Sequence, residues 1–198
     1  MNKVFVVGIT GQTGVGKSTV VKTLAQNGWL ILDADAIARE VVNPGTPCLE
    51  ALTKRFSPAI LFPDGSLNRQ ELADMAFATP EDTAALNAIV HPAVIEVMTQ
   101  ALEKTNSPIA VIDAPLLFQA GLNRICDQTV VVTAPAALRL RRICERDGIT
   151  EAQARARMNA QPDEEYYRSK ADKVLINDST ERALIEQTKR LCEGWQRD

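Results

Sequence analysis

The chain has 198 residues, 45% hydrophobic and 24% charged, with a formal net charge of −3. That length suits one domain, or a core with an insert, and can bury a core without metal or disulfide staples. The acidic balance argues against a general nucleic-acid coat, which is basic, and no stretch approaches the roughly 20 apolar residues of a membrane span.

In chain order, an apolar run at 4–9 reads as a buried strand. It delivers Gly11-Gln-Thr-Gly-Val-Gly-Lys-Ser18, the pattern G-x-x-x-x-G-K-[ST], and a helix leaves it over 18–26. A second run at 29–32 ends in Asp33-Ala34-Asp35, with Arg39 four residues further on. Asn43-Pro44-Gly45 is a stop and Pro63-Asp64-Gly65 a turn. Asn68 to Glu71 reads as a capping box, and Thr79-Pro80 opens a long helical pattern over 80–104. Pro92 interrupts it, which predicts two helices or a kink near His91. Strands are expected at 109–112, 128–133 and 174–176. Pro135 opens a helix to about Asp147, stopped by Gly148, and Thr150 to Gln153 caps another. The last helix is expected at about 180–194.

Strands alternating with helices predict an α/β fold with a parallel sheet covered by helices on both faces. About 75 residues separate the second and third strands, far more than one crossover helix requires, and read as an inserted helical subdomain.

The strand–loop–helix setting of residues 11–18 identifies a phosphate-binding loop. Backbone N–H groups and the helix N-terminus make an anion site. Gly14 and Gly16 admit the phosphates without a Cβ clash, Lys17 reaches the β- and γ-phosphates, and the Ser18 hydroxyl is a Mg²⁺ ligand. Asp33 and Asp35 follow a strand end, where ligands of parallel sheets bind. A carboxylate there accepts the proton of an attacking hydroxyl or caps the following helix. Arg39 either holds Asp35 or grips an acceptor phosphate. Ile109-Ala-Val-Ile112-Asp113 has the Walker-B pattern, whose Asp holds Mg²⁺ directly or through water. Leu116, Leu117 and Phe118 follow as an apolar rim suited to an organic substrate.

Between 139 and 173 lie nine Lys/Arg and seven Asp/Glu, a net +2 that leaves −5 elsewhere. A locally basic segment in an acidic protein suits a small polyanion better than a polymer. Arg139, Arg142 and Arg146 share a helix face and are placed either to spread transition-state charge or to form a solvated face with Glu145 and Asp147. His91 is either a substrate contact or a structural helix-end histidine. No guanine-reading Asn-Lys-x-Asp follows the last strand, which favours ATP over GTP, and Asn177 is placed to line a base pocket. The four cysteines form no C-x-x-C pair, and neither a zinc site nor a disulfide framework is expected. Free thiols and the lack of a signal-peptide pattern point to the cytoplasm.

Taken together these residues resemble the dephospho-coenzyme A kinase family over nearly the whole chain. The resemblance rests on Thr10-Gly11 to Thr19, Asp33-Ala-Asp35 with Arg39, Asp64-Gly65-Ser-Leu-Asn68-Arg69 and His91-Pro92. Asp113 to Phe118, the arginine helix to Arg146, Gln161, Ala171-Asp172 and Ile176-Asn177 complete it. It implies a three-layer α/β/α P-loop kinase core with a five-stranded parallel sheet, at 1–41 and 108–198. It adds a helical coenzyme A insert at about 42–107 and a helical lid at about 136–165. The implied reaction transfers the ATP γ-phosphoryl group to the ribose 3′-hydroxyl of dephospho-coenzyme A, with Mg²⁺, as the last step of coenzyme A synthesis. By position, Asp35 is the base, Thr10 and Lys17 stabilise phosphates, and Arg142 and Arg146 are lid arginines. Gly11, Gly14, Val15, Gly16, Ser18, Thr19 and Asn177 complete the ATP site. Asp33, Arg39, Arg69 and His91 face the acceptor, with Leu116, Leu117 and Phe118, and Ser18 and Asp113 hold the metal. A monomer is implied, with no nucleic-acid, membrane or obligate protein partner.

The chain departs from the family pattern at Gln12, Thr13 and Val15 in the loop, at Gln119 where Glu is usual, and at Asn68 where Asp is common. The alternative reading within enzymes is a nucleoside or nucleoside-monophosphate kinase. A nucleotide-switched binding protein is the reading from another class, but it needs neither the paired aspartates nor the insert.

Overall fold

The computed structural model of the protein describes residues 3–195. Its five apolar runs form β1 (Phe5–Thr10), β2 (Leu30–Asp33), β3 (Ile109–Asp113), β4 (Gln128–Thr133) and β5 (Lys173–Ile176). They build one five-stranded parallel sheet in the order β2-β3-β1-β4-β5. Central β1 pairs with β3 from Phe5↔Ile109 to Ile9↔Asp113 and with β4 from Val7↔Gln128 to Thr10↔Val131. A strand covered on both faces reads as an unbroken apolar run, and β1 is buried from Val6 onward.

Contact density divides the chain into one unit of 1–32 and 105–198 and another of 33–104. In the first, α1 (Lys17–Ala25) and α9 (Glu181–Trp195) pack together over one sheet face. Val7 and Ile9 meet Val20 and Leu24 of α1 and Leu184 and Cys192 of α9 there. Trp195 closes the end of α9, tilted against Trp29 at 6.1 Å and donating to Gln128 Oε1 at 2.6 Å. α6 (Ala136–Asp147) stops at Gly148, which is left-handed at φ 64°. α7 (Glu151–Asn159) opens with the full Thr150–Gln153 capping box and packs on α6 through Ile143 and Ala154. A short α8 (Glu164–Arg168), capped by Asp163, precedes β5 and was not predicted. The carboxylate of Asp172 then accepts from both the N–H and the hydroxyl of Thr129 at 2.7 Å, tying the start of β5 to β4.

The unit at 33–104 is helical: α2 (Ala34–Glu40), α3 (Pro47–Phe56), α4 (Arg69–Ala76) and α5 (Pro80–Lys104). It begins at Asp33 because α2 packs on α5. Leu52, Ile60, Ala76 and Met98 are fully buried. The turn at 63–65 closes a small antiparallel bridge, Leu61↔Leu67, and Asn68 caps α4 through Glu71 N–H at 3.2 Å.

One expectation is corrected here in part. Of the two forms expected, two helices or a kink near His91, the first is excluded: 80–104 is one helix with Pro92 inside it. An internal proline costs about 3 kcal/mol, and packing against α2, α3 and α4 opposes that cost. This helix also has an 18-residue window with mean hydropathy 1.2, long and apolar enough by those measures to cross a membrane. Val94 and Met98 are its buried residues within the unit.

Candidate active site

Residues 11–18 line a cavity of about 730 Å³ with Pro115, Arg142, Glu145, Arg146 and Gln161. Gly16 stands before α1 in the left-handed conformation, φ 95°, and no side chain caps the helix. No side chain therefore competes with an anion for the Lys17 and Ser18 N–H groups, while Thr19 N–H donates to Gly16 O at 3.0 Å. Gly14 and Gly16 also answer a demand from behind the loop. A Cβ on Gly14 would stand 2.9 Å from the Arg139 carbonyl oxygen, and one on Gly16 would stand 2.4 Å from Asn177 Nδ2.

When successive N–H groups turn toward one side, the carbonyls on the other side need donors. Here Arg139 Nε donates to Thr13 O at 3.0 Å, Arg142 Nη1 to Gly14 O at 3.4 Å and Asn177 Nδ2 to Val15 O at 2.8 Å. Arg142 Nη2 also donates to Asn177 Oδ1 at 3.3 Å. Asn177 is thus buried behind the loop and is not among the residues that line the cavity. Its side chain is used by the Val15 carbonyl.

Lys17 pairs with Asp113 at the end of β3, and Ser18 is exposed at the cavity wall. Thr10 is fully buried, with its hydroxyl donating to Pro115 O at 3.2 Å. The Thr19 hydroxyl donates to Glu181 at 3.3 Å, and Val15 is buried under the loop.

The arginines of α6 separate by depth. Arg139 is 5% exposed, and burial pushes its pKa down against the opposing charge of Glu164. Arg142 bridges loop and Asn177. Arg146 lies at the cavity edge and donates to both oxygens of Asp147, at 2.7 and 2.9 Å, which raises its pKa. Arg141 pairs with Glu145 in solvent.

In the helical unit, Asp33 caps α2 by accepting from Ala36 N–H at 3.0 Å. Asp35 is exposed in the first turn of α2, and Arg39 is exposed in its last. Arg69 Nη2 donates to the Arg39 carbonyl at 3.5 Å. His91 is half-buried on α5, and desolvation lowers its pKa.

The apolar rim is corrected in part. Leu117 is fully buried, packed where a Cβ on Gly8 would stand 2.9 Å away. The turn after β3 folds it inward, through Leu117 N–H to Ala114 O at 3.3 Å. Phe118 packs edge-on against Tyr166, and Leu116 remains exposed.

A family model described as dephospho-CoA kinase matches residues 5–182. A dephospho-CoA kinase of Thermobifida fusca is 43% identical over 96% of this chain and 94% of its own length. The chain belongs to the dephospho-CoA kinase family. Among solved structures, a Thermus thermophilus protein is 34% identical with a TM-score of 0.81, covering 96% of this chain and 97% of that one. Dephospho-CoA kinase from Campylobacter jejuni is 26% identical with a TM-score of 0.69, covering 95% of each.

Against the family pattern, Gln12 is the residue that sequence reasoning undervalued. The P-loop motif leaves its position free, yet here it is 8% exposed. Its Oε1 accepts from Arg139 Nη1 at 2.6 Å and its Nε2 donates to Pro162 O at 2.7 Å. Gln119 donates to Tyr167 Oη at 3.4 Å, a bond that needs the amide and no charge. Asp172, noted in sequence only as part of the resemblance, is the β4–β5 clasp. Nothing local in the sequence points to these pairings, because each joins residues more than 40 positions apart.

Proposed function

We propose that the chain transfers the γ-phosphoryl group of ATP to the ribose 3′-hydroxyl of dephospho-coenzyme A, giving coenzyme A and ADP. The observation that carries this reading is the convergence of the glycine loop, Lys17, Asp113, Arg142 and Arg146 on one cavity or its edge, in a member of this family. Phosphoryl transfer needs positioning and charge stabilisation more than covalent chemistry. The loop N–H groups and Lys17 hold the β- and γ-phosphates. Arg142 and Arg146 spread the charge that develops on the equatorial oxygens. Asp35 takes the hydroxyl proton as the 3′-oxygen bonds to the γ-phosphorus, and the bond to the bridging oxygen breaks to release ADP. The reading assigns Asp33, Arg39, Arg69 and His91 of the helical unit to the acceptor, and Leu116 and Phe118 of the other unit as well.

The donor set fits magnesium. Ser18 and Asp113 offer oxygen ligands, and Mg²⁺ keeps several waters while taking further oxygens from substrate phosphates. Among the described residues no cluster of three His, Cys, Asp or Glu could hold a metal. When bound, the ion neutralises charge on the β- and γ-oxygens.

The reading places the enzyme in the cytoplasm, where the free thiols of Cys48, Cys126, Cys144 and Cys192 persist. The reading takes the enzyme as a monomer. The test is radiolabelled ATP offered with dephospho-coenzyme A, nucleosides and nucleoside monophosphates. Label passes to dephospho-coenzyme A; preferred labelling of a nucleoside monophosphate overturns the reading.

A further inference from the structure

The Thr13 backbone is held on both sides by side chains from the far end of the sequence. Its N–H donates to Gln161 Oε1 at 2.8 Å, and its carbonyl accepts from Arg139 Nε at 3.0 Å. Gln12 closes the ring, accepting from Arg139 and donating to the carbonyl of Pro162. Arg139 and Gln161 bracket the segment that bears Arg142 and Arg146. Arg139 carries a buried charge with Nη2 lacking any partner. A buried charge is a poor source of stability, and the hydrogen bonds this guanidinium makes go to Thr13 O and Gln12 Oε1 of the loop.

We propose that Arg139 and Gln161 are positioning residues of the phosphate loop, holding the Thr13 backbone from its two sides in the shape that receives the nucleotide's phosphates. The proposal rests on the reading that ATP fills this loop. Neither residue acts on the reacting atoms. Gln161 reaches the cavity wall, but its carbonyl oxygen is taken by Thr13 N–H. Their effect passes through the direction of the loop's other N–H groups.

The test uses Gln161→Met, which keeps volume and removes the acceptor, and Arg139→Lys, which keeps charge and loses the fork. ADP affinity is measured by calorimetry, KM for both substrates by steady-state kinetics, and exchange of the Thr13 amide by hydrogen–deuterium methods. In Gln161→Met, ADP Kd and KM for ATP rise about tenfold, KM for dephospho-coenzyme A is unchanged, and the Thr13 amide exchanges faster. The double variant loses less than the product of the single losses, because both residues hold one backbone segment. A merely structural role would lower the melting temperature and leave ADP Kd unchanged in the folded protein. Folded Gln161→Met that binds ADP as the parent does overturns the proposal, and this variant decides alone if Arg139→Lys does not fold. ADP binding needs no acceptor. A parent that binds ADP without phosphorylating dephospho-coenzyme A sinks the acceptor reading and leaves this one to the ADP constants; a parent that does not bind ADP sinks both.

Discussion

Asp35 and Asp33 stand two residues apart with different tasks. Asp33 spends an oxygen on the Ala36 N–H, while Asp35 is exposed in the first turn of α2. Asp35 is the base in the function proposed above, and on that reading Asp35→Asn is expected to lower kcat by about 10²–10⁴-fold with ADP affinity unchanged. Near-normal turnover would return the role to Asp33 or to solvent. His91 makes a pH prediction. Its folded pKa lies below the ordinary 6.5 because burial disfavours the imidazolium. Below pH 6.5 the unfolded chain takes the proton first, so the His91 contribution is complete above 6.5 and is lost as pH falls toward the folded value. Urea unfolding at pH 5.5 and 7.5 should show a smaller difference in His91→Gln than in the parent; an equal difference refutes the assignment.

Elements decide what each residue of a motif faces. The three arginines at i, i+3 and i+7 of α6 share a helical face, yet tertiary packing sends Arg139 behind the loop, Arg142 across it and Arg146 to its edge. The exposed Arg141–Glu145 pair contributes about 0.3–0.5 kcal/mol, as such i,i+4 pairs do. The join between β4 and β5 depends on Asp172, whose carboxylate serves both donors of Thr129, itself buried. Asp172→Ala leaves those donors without that partner and should lower unfolding free energy by about 1–2 kcal/mol, with ADP affinity unchanged. Chemical denaturation measures the first and calorimetry the second; a silent substitution would show that water replaces the carboxylate.

For the whole molecule, nucleotide binding should appear as stability. ADP at 100 times its Kd adds about 2.7 kcal/mol, which for a chain of this length raises Tm by roughly 5–10 °C. Lys17→Met should abolish most of that shift in a scanning thermal assay, and an unchanged shift would remove Lys17 from the phosphate site. The sequence by itself determined the α/β class, all five strands to within a residue or two, the phosphate loop and the family, because buried strands, glycine turns and helix caps are local patterns. It could not place Leu117, Asn177 or Gln12. Leu117 looks like rim until the turn after β3 folds it against Gly8, and nothing in the sequence shows that Asn177 spends its amide on the Val15 carbonyl. Pro92 reads as a break or a kink, and α5, packed on three helices of its unit, runs through it as one helix. Only the tertiary structure could decide these, because the carbonyl side of a phosphate loop must find donors wherever the fold brings them, and here they come from residues more than 120 positions away.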